Sequence, residues 1–164
     1  MDTSTLDVQR RGGVLYVTLD QPATRNALSA RMVDDLRGVA RRCRYEDGLR
    51  AVVLRGAGGN FCAGGDLADF RTLRQTRPAT GEADPIALAN RAFGRLLQEW
   101  QGLPQTVLAV VEGAAMGGGV GLAAVCDLVL AEAGARFAMP ETSLGLPPAQ
   151  ILPFVALRIG ATQA

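Results

Sequence analysis

The sequence of 164 residues contains no lysine and no histidine, so all 17 of its basic residues are arginines. Without histidine, the serine–histidine and cysteine–histidine nucleophile systems are excluded, as is every metal site built on imidazole. Without lysine, the chain cannot form a Schiff base and has no P-loop lysine. Acid–base catalysis must therefore use carboxylates, tyrosine, cysteine or the backbone.

Excess charge, paired cysteines and long apolar runs are absent too. The 17 basic and 16 acidic side chains leave a net charge of +1, which argues against a cationic nucleic-acid-binding surface. Cys43, Cys62 and Cys126 are odd in number and far apart, which argues against disulfides or zinc and favours a reducing compartment. Five glycines and two acidic residues interrupt the longest apolar stretch, 107–130. We predict a cytoplasmic protein without nucleic acid, membrane or metal partners.

Hydrophobic periodicity predicts alternating strands and helices, and hence an α/β fold. Short apolar runs predict strands at 6–11, 14–19, 51–54, 106–111, 126–130 and 136–138. Helical spacing and capping residues predict helices over 29–45, after Asp66, around 93–100, and over 120–125 and 149–159. Gly12-Gly13 suits the turn of a hairpin between the first two strands. The polar segment 76–85 is predicted to be a mobile loop.

Three segments combine glycine with residues that carry chemistry: Asn60–Asp66, Gly113–Leu122 and Phe137–Thr142. A glycine pair after a strand is most often a plain turn. Three consecutive glycines, at 117–119, indicate instead a positive φ or the close approach of the backbone to another group. The N–H groups at a helix start also favour anions, and ligands of α/β folds bind where strands lead into such turns.

In order and spacing, these segments resemble the enoyl-CoA hydratase/isomerase (crotonase) superfamily. The resemblance begins at Pro22-Ala-Thr-Arg-Asn-Ala-Leu28 and continues through the Phe-x-Ala-Gly-x-Asp loop at 61–66, the three glycines and Pro140-Glu141. It implies that residues 1–164 form a crotonase-like α/β core, a spiral of ββα units, from which the family's C-terminal helical part is absent. It also implies a homo-oligomer, either a trimer or a dimer of trimers.

The resemblance further implies that two backbone N–H groups, those of Gly65 and Gly118, polarise the thioester carbonyl of an acyl-CoA substrate. Coenzyme A would enter as part of the substrate, and no cofactor would be bound permanently. The positions matched to coenzyme contacts are Arg25, Ala27, Ala63, Asp66 and Leu67. A solvated surface role for Arg25 and a plain helix N-cap for Asp66 are equally good interpretations.

Glu141 matches the second of two glutamates that family hydratases place around the reacting water. The first would stand two residues after the glycines, where this chain has Gly121. With no histidine or lysine available, Glu141 is the predicted general acid and base. A single glutamate is typical of family isomerases and of some acyl-CoA hydrolases. The hydrolase branch has an aspartate at the position of Ala149, whereas the tail at 145–155 is similar to that of hydratases of branched isoprenoid glutaconyl-CoA thioesters.

Three functions remain open: an enoyl-CoA hydratase or isomerase, a 3-hydroxyacyl-CoA-type thioester hydrolase, and a non-catalytic CoA-ester-binding relative. We also expect the chain to be incomplete, because family members continue through helices that cover the acyl pocket and carry much of the trimer contact. Apolar side chains of the last helix would then lack a partner, namely Ile151, Phe154, Val155 and Leu157. Such a chain is expected to self-associate and to bind CoA esters weakly.

Overall fold

A five-stranded, mostly parallel sheet organises the protein, whose computed structural model describes residues 3–144 and 147–164 (for Leu144, the backbone only). The strand order is β1-β2-β3-β4-β6. The strands are β1 (Leu6–Arg11), β2 (Val14–Leu19), β3 (Ala51–Gly56), β4 (Thr106–Val111) and β6 (Leu128–Ala131). A separate parallel pair consists of β5 (Ala114–Met116) and β7 (Arg136–Ala138). The α/β fold expected from the sequence is confirmed.

The described residues form the α-helices α1 (Ala30–Cys43), α2 (Leu67–Gln75), α3 (Pro85–Gln101) and α4 (Gly118–Ala124) between strands, and α5 (Leu152–Ile159) after the last strand. Local signals specify several of their ends. The Ser29 hydroxyl accepts a hydrogen bond from Met32 N–H at the start of α1, and Asp66 caps α2. The predicted hairpin is also confirmed, since β1 pairs antiparallel with β2 and Gly12 has a φ of +58°.

Helices α1 and α3 pack on each other and share one hydrophobic core with the sheet. The core's largest fully buried side chain, Trp100, donates its indole N–H to the carbonyl of Leu36 at 3.1 Å. Beside it, the guanidinium of Arg37 forms two hydrogen bonds to the carboxylate of Glu99, at 2.8 and 3.0 Å. These contacts join two helices that lie far apart in the sequence and give the site a rigid support.

Several elements differ from the sequence prediction; α3, for example, begins at Pro85. Three of the differences have an identifiable cause. Strand β5 was not expected; it exists because it pairs with β7 and, through Ala115, with Cys62. Helix α4 begins at Gly118, earlier than position 120, because the glycines themselves form its first turn. Helix α5 begins at Leu152, later than position 149, because the chain after the two prolines first forms turns.

The expectation that apolar side chains of the last helix would lack a partner is wrong for three of the four, since Ile151 and Val155 are buried and Phe154 packs against the core. Ile151 and Val155 are only 3% and 5% exposed, because α5 packs against α4. Phe154 is half-buried, whereas Leu157 is 78% exposed, as expected for an unpartnered side chain. Within the described parts of the chain, no helix is both long enough and apolar enough to cross a bilayer.

Candidate active site

Three backbone segments lie side by side, with residues 62–66 between residues 25–28 and residues 114–118. The middle segment is bonded on both sides, as in a small sheet. The bonds are Ala63 N–H to Arg25 O (2.9 Å), Leu28 N–H to Gly64 O (2.7 Å), Cys62 N–H to Ala114 O (2.9 Å) and Met116 N–H to Cys62 O (2.9 Å). This pairing brings together two of the three glycine-bearing segments that the sequence singled out.

The direction of the Gly65 N–H group follows from the bond that the preceding carbonyl accepts. In a trans peptide unit, the carbonyl oxygen and the N–H point in opposite directions. Because Gly64 O points at Leu28 N–H, the N–H of Gly65 points away from segment 25–28, toward the side on which segment 114–118 lies. Among the described residues, no protein acceptor takes a hydrogen bond from it. It is therefore a free donor.

The N–H group of Gly118 is directed by the first turn of α4. The carbonyl of Gly117 accepts from Val120 N–H (2.9 Å) and Gly121 N–H (3.2 Å), so the N–H of Gly118 points out of the helix start. Gly117 has a φ of +48°, which side chains with a Cβ rarely adopt. This explains why glycine is required at the turn from β5 into α4.

Glu141 lies against the same glycine turn. It follows β7 in a short 3₁₀ helix, Pro140–Leu144, and a methyl group at Gly117 would collide with its Oε1 atom. Its Oε2 atom is buried and has no hydrogen-bond partner in the described part of the chain. A buried carboxylate oxygen without a protein partner is available to a ligand or to a proton. The third segment of the sequence analysis therefore meets the second.

The positions predicted to contact coenzyme A lie on the two paired segments 25–28 and 62–67. The Arg25 side chain is exposed, and Leu67 is 64% exposed. The N-cap interpretation of Asp66 is confirmed, since its Oδ1 accepts from the N–H groups of Ala68 and Asp69, at 2.8 and 3.0 Å. Arg25, Ala27, Ala63, Asp66 and Leu67 thus form one continuous strip of backbone, although the Asp66 carboxylate is already engaged.

One residue of this region was not singled out from the sequence. Asn26 is completely buried, and its side chain hydrogen-bonds to three backbone groups. Its position within the Asn-Ala-Leu motif was the only sequence signal. Cys62, in the same region, is buried, and burial raises the pKa of its thiol to about 12, which keeps it protonated at neutral pH.

A family model described as enoyl-CoA hydratase/isomerase matches residues 9–164. The chain belongs to this family. Among solved structures, an enoyl-CoA hydratase/isomerase from Marinobacter aquaeolei is 47% identical with a TM-score of 0.92, and covers 97% of this chain. AtuE from Pseudomonas aeruginosa is 51% identical with a TM-score of 0.91, over 98% of this chain. A probable enoyl-CoA hydratase from Bacillus subtilis is 33% identical over 135 residues, 82% of this chain.

The chain is shorter than the family members that it matches. It spans about half the length of the curated relatives and 60% of each of the two solved structures. The crotonase-type fold expected from the motifs is confirmed over the residues that overlap. Of the tail that resembles glutaconyl-CoA hydratases, positions 145 and 146 lie outside the described residues.

This family member departs from the two-glutamate pattern for a packing reason. Gly121 is buried in α4, and a Cβ there would collide with Ile151 and stand 3.3 Å from the Cδ1 atom of Leu97. Helix α5 therefore approaches α4 closely at the position where the hydratase pattern has its first glutamate. A side chain there would require Ile151 to move. With glycine at this position, Glu141 is the only one of the two family glutamates that the described residues contain.

Proposed function

We propose that the protein acts on an acyl-CoA thioester, as an enoyl-CoA isomerase or hydratase, through an oxyanion hole of two backbone N–H groups and one glutamate. Two observations support the proposal. The N–H groups of Gly65 and Gly118 lie on paired segments and donate to no protein acceptor among the described residues, and Glu141, whose Oε2 is buried without a hydrogen-bond partner, lies against Gly117. Membership of the enoyl-CoA hydratase/isomerase family supports the substrate class.

In the proposed mechanism, the thioester carbonyl oxygen accepts hydrogen bonds from both N–H groups. When a proton leaves the carbon next to that carbonyl, negative charge moves onto the oxygen as an enolate, and the two donors stabilise it. Donors that are already oriented need no rearrangement as the charge develops, and the loss of one typically raises the barrier by about 3–4 kcal/mol. Glycine suits both positions because the backbone alone supplies the chemistry.

Glu141 is proposed to move the proton. In an isomerisation, its carboxylate takes a proton from one carbon of the acyl chain and returns it to another, so that the double bond shifts and no atom is gained or lost. Hydration by the two-glutamate route requires a second carboxylate, and Gly121 supplies none. The single carboxylate therefore favours isomerisation, with hydration through Glu141 alone as the second candidate.

Binding of the coenzyme is proposed to use the strip formed by segments 25–28 and 62–67. The exposed guanidinium of Arg25 suits a phosphate of coenzyme A, because arginine pairs well with phosphate oxygens. Ala27 and Ala63 expose backbone close to it, and Leu67 offers an apolar surface. Asp66 contributes through its backbone, since its carboxylate caps α2.

We further propose a cytoplasmic homo-oligomer, a trimer or a hexamer. Three buried, unbridged cysteines fit a reducing compartment. Leu128 and Leu130 on β6 and Phe137 on β7 are 55%, 60% and 46% exposed, which fits a surface covered by a further subunit or segment. Sedimentation velocity tests the assembly, and a single monomeric species at micromolar concentration would contradict it.

Incubation with a panel of enoyl-CoA esters, followed by mass spectrometry, tests the function. A shifted double bond at unchanged mass supports isomerisation, and the gain of one water supports hydration. Release of free CoA would instead indicate that the protein is a thioester hydrolase. Tight binding without turnover would indicate a non-catalytic CoA-ester-binding relative. The absence of both binding and turnover would refute the proposal.

A further inference from the structure

We propose that Asn26 is a positioning residue that aims the N–H group of Gly65, through the backbone and without touching substrate. The inference rests on the proposed oxyanion hole, which gives that N–H its function. The contacts that support it are those of Asn26 with three backbone groups and those of segment 25–28 with segment 62–66.

The side chain of Asn26 is 0% exposed, and its three hydrogen bonds are all made with backbone groups. Its Oδ1 accepts from Gln21 N–H at 2.9 Å. Its Nδ2 donates to Ala57 O at 2.9 Å and to Asn60 O at 2.8 Å. The side chain therefore ties the turn after β2 to the loop after β3. This loop leads directly into segment 62–66.

The backbone at Asn26 is itself unusual. Arg25 and Asn26 have φ values of +52° and +58°, and within the described residues they alone combine a side chain with a positive φ. Asparagine tolerates this conformation, but arginine adopts it rarely. Such conformations persist where the surroundings hold them in place, and they are concentrated at functional sites. The three hydrogen bonds of Asn26 supply that restraint.

The restrained turn presents two groups to the middle segment. Arg25 O accepts from Ala63 N–H at 2.9 Å, and Leu28 N–H donates to Gly64 O at 2.7 Å. The second bond sets the plane of the peptide that also carries Gly65 N–H. No atom lies within 4 Å of the place where a Gly65 side chain would stand, whereas a Cβ at Gly64 would stand 2.9 Å from Met116 O. The hydrogen bond that orients this peptide is therefore the one from segment 25–28, which Asn26 restrains.

The test uses a cinnamoyl-CoA thioester, whose absorbance moves to longer wavelength as its carbonyl is polarised. Asn26→Asp keeps the acceptor for Gln21 but replaces both N–H donors with an oxygen that faces two carbonyls. Asn26→Gly removes the side chain and still permits the positive φ. Asn90→Asp, on the exposed face of α3, makes the same chemical change elsewhere and serves as the control.

At full occupancy, both Asn26 variants are expected to show less than about half of the wild-type wavelength shift. Turnover is expected to fall about 10- to 100-fold with KM changed by less than about threefold, because a misplaced donor weakens binding of the transition state more than that of the substrate. The circular dichroism spectrum is expected to match that of the wild type, and Asn90→Asp to behave as the wild type.

A full wavelength shift and full turnover in either folded Asn26 variant, whatever its melting temperature, would overturn the inference. Failure of both variants to fold would also overturn it, because Asn26 would then be a structural residue only. A wild-type protein that binds the thioester without any wavelength shift would refute the oxyanion hole itself, and the inference with it. The wild-type measurement thus judges the proposed function, and the variants judge Asn26.

Discussion

The two free N–H donors of the candidate site are oriented by different kinds of structure. Gly118 is oriented by its own helix, because Gly117 O bonds to residues only three and four positions further on. Gly65 is oriented by Leu28, which lies in a distant part of the sequence and is itself held by the turn at Asn26. The first donor is thus a local product of a glycine turn, whereas the second exists only after two remote segments have paired.

The two N–H donors also differ in their surroundings. The glycine turn at Gly117 lies against the Glu141 carboxylate, while Gly65 is exposed and a side chain there would meet no atom within 4 Å. A substitution near Gly118 is therefore expected to act on the donor and on the proposed proton-transfer group, Glu141, together. A substitution near Gly65 acts on the direction of one donor. The following experiments separate these contributions.

The largest effect is expected for Glu141→Gln. Glutamine keeps the shape of the side chain but cannot take up a proton, so turnover should fall about 10²- to 10⁴-fold. Binding of the CoA ester should stay nearly intact. Glu112→Gln, at an exposed position, is the matched control. An unchanged turnover number would remove Glu141 from the mechanism and leave the two donors as the whole of the site.

The second-largest effect is expected when the N–H group of Gly118, the local donor, is removed. Gly118→Pro deletes the N–H but suits the first position of a helix, where proline is favoured. Gly118→Ala keeps the N–H and adds a similar Cβ, which would stand 2.7 Å from Leu28 Cδ1 and 3.1 Å from Phe93 Cζ. Turnover of the proline variant should be about 10²- to 10³-fold below that of the alanine variant. Equal turnover in two folded variants would exclude Gly118 as a donor.

Alanine substitutions at two adjacent positions, Gly64 and Gly65, probe the loop that carries the remote donor. Gly64 has a φ of +92° and a Cβ there would stand 2.9 Å from Met116 O, so Gly64→Ala should lower the free energy of unfolding by about 1–3 kcal/mol. Gly65→Ala retains the N–H, meets no atom within 4 Å and should change stability by less than about 0.5 kcal/mol. Urea denaturation measures both. Similar losses in the two variants would contradict the described geometry of this loop.

The smallest effect on turnover is expected for Cys62→Ala, although Cys62 belongs to the segment that carries Gly65 and pairs with the segment that carries Gly118. The side chain is fully buried and accepts only a long contact, 3.5 Å, from Gly64 N–H. Turnover should stay within about threefold of the wild type, with a loss of stability of about 1 kcal/mol from the small cavity. A larger loss of turnover would assign Cys62 a part in orienting the loop.

The same variant tests the titration of this thiol. Burial raises the pKa of Cys62 from 9.0 to about 12, so unfolding favours the thiolate. The stability that comes from this shift is complete below the pKa of the unfolded thiol and is lost as the pH rises from about 9 toward 12. The free energy of unfolding of Cys62→Ala should therefore decrease less than that of the wild type over this range. Parallel decreases would show that the thiol is accessible to solvent.

Features that depend on residues close together in the sequence could be predicted from the amino-acid sequence. The alternation of apolar residues was sufficient to locate β1 and β2, and Gly12 marked their turn, because hairpin pairing is decided within a few residues. Ser29 and Asp66 predicted two helix starts for the same reason, because N-capping depends on residues two or three positions away. The glycine run and Pro140-Glu141 identified the family, since these motifs carry their chemistry in residue type and spacing.

How those strands, helices and motifs combine into a site depends on the tertiary structure. β5 has three residues and became a strand through its pairing with β7, which no local pattern signals. The direction of Gly65 N–H follows from the bond between Leu28 and Gly64, and the exclusion of a side chain at Gly121 follows from the approach of Ile151. Both are relations between segments remote in sequence. The packing of the whole core sets their geometry, so local residue patterns do not predict it.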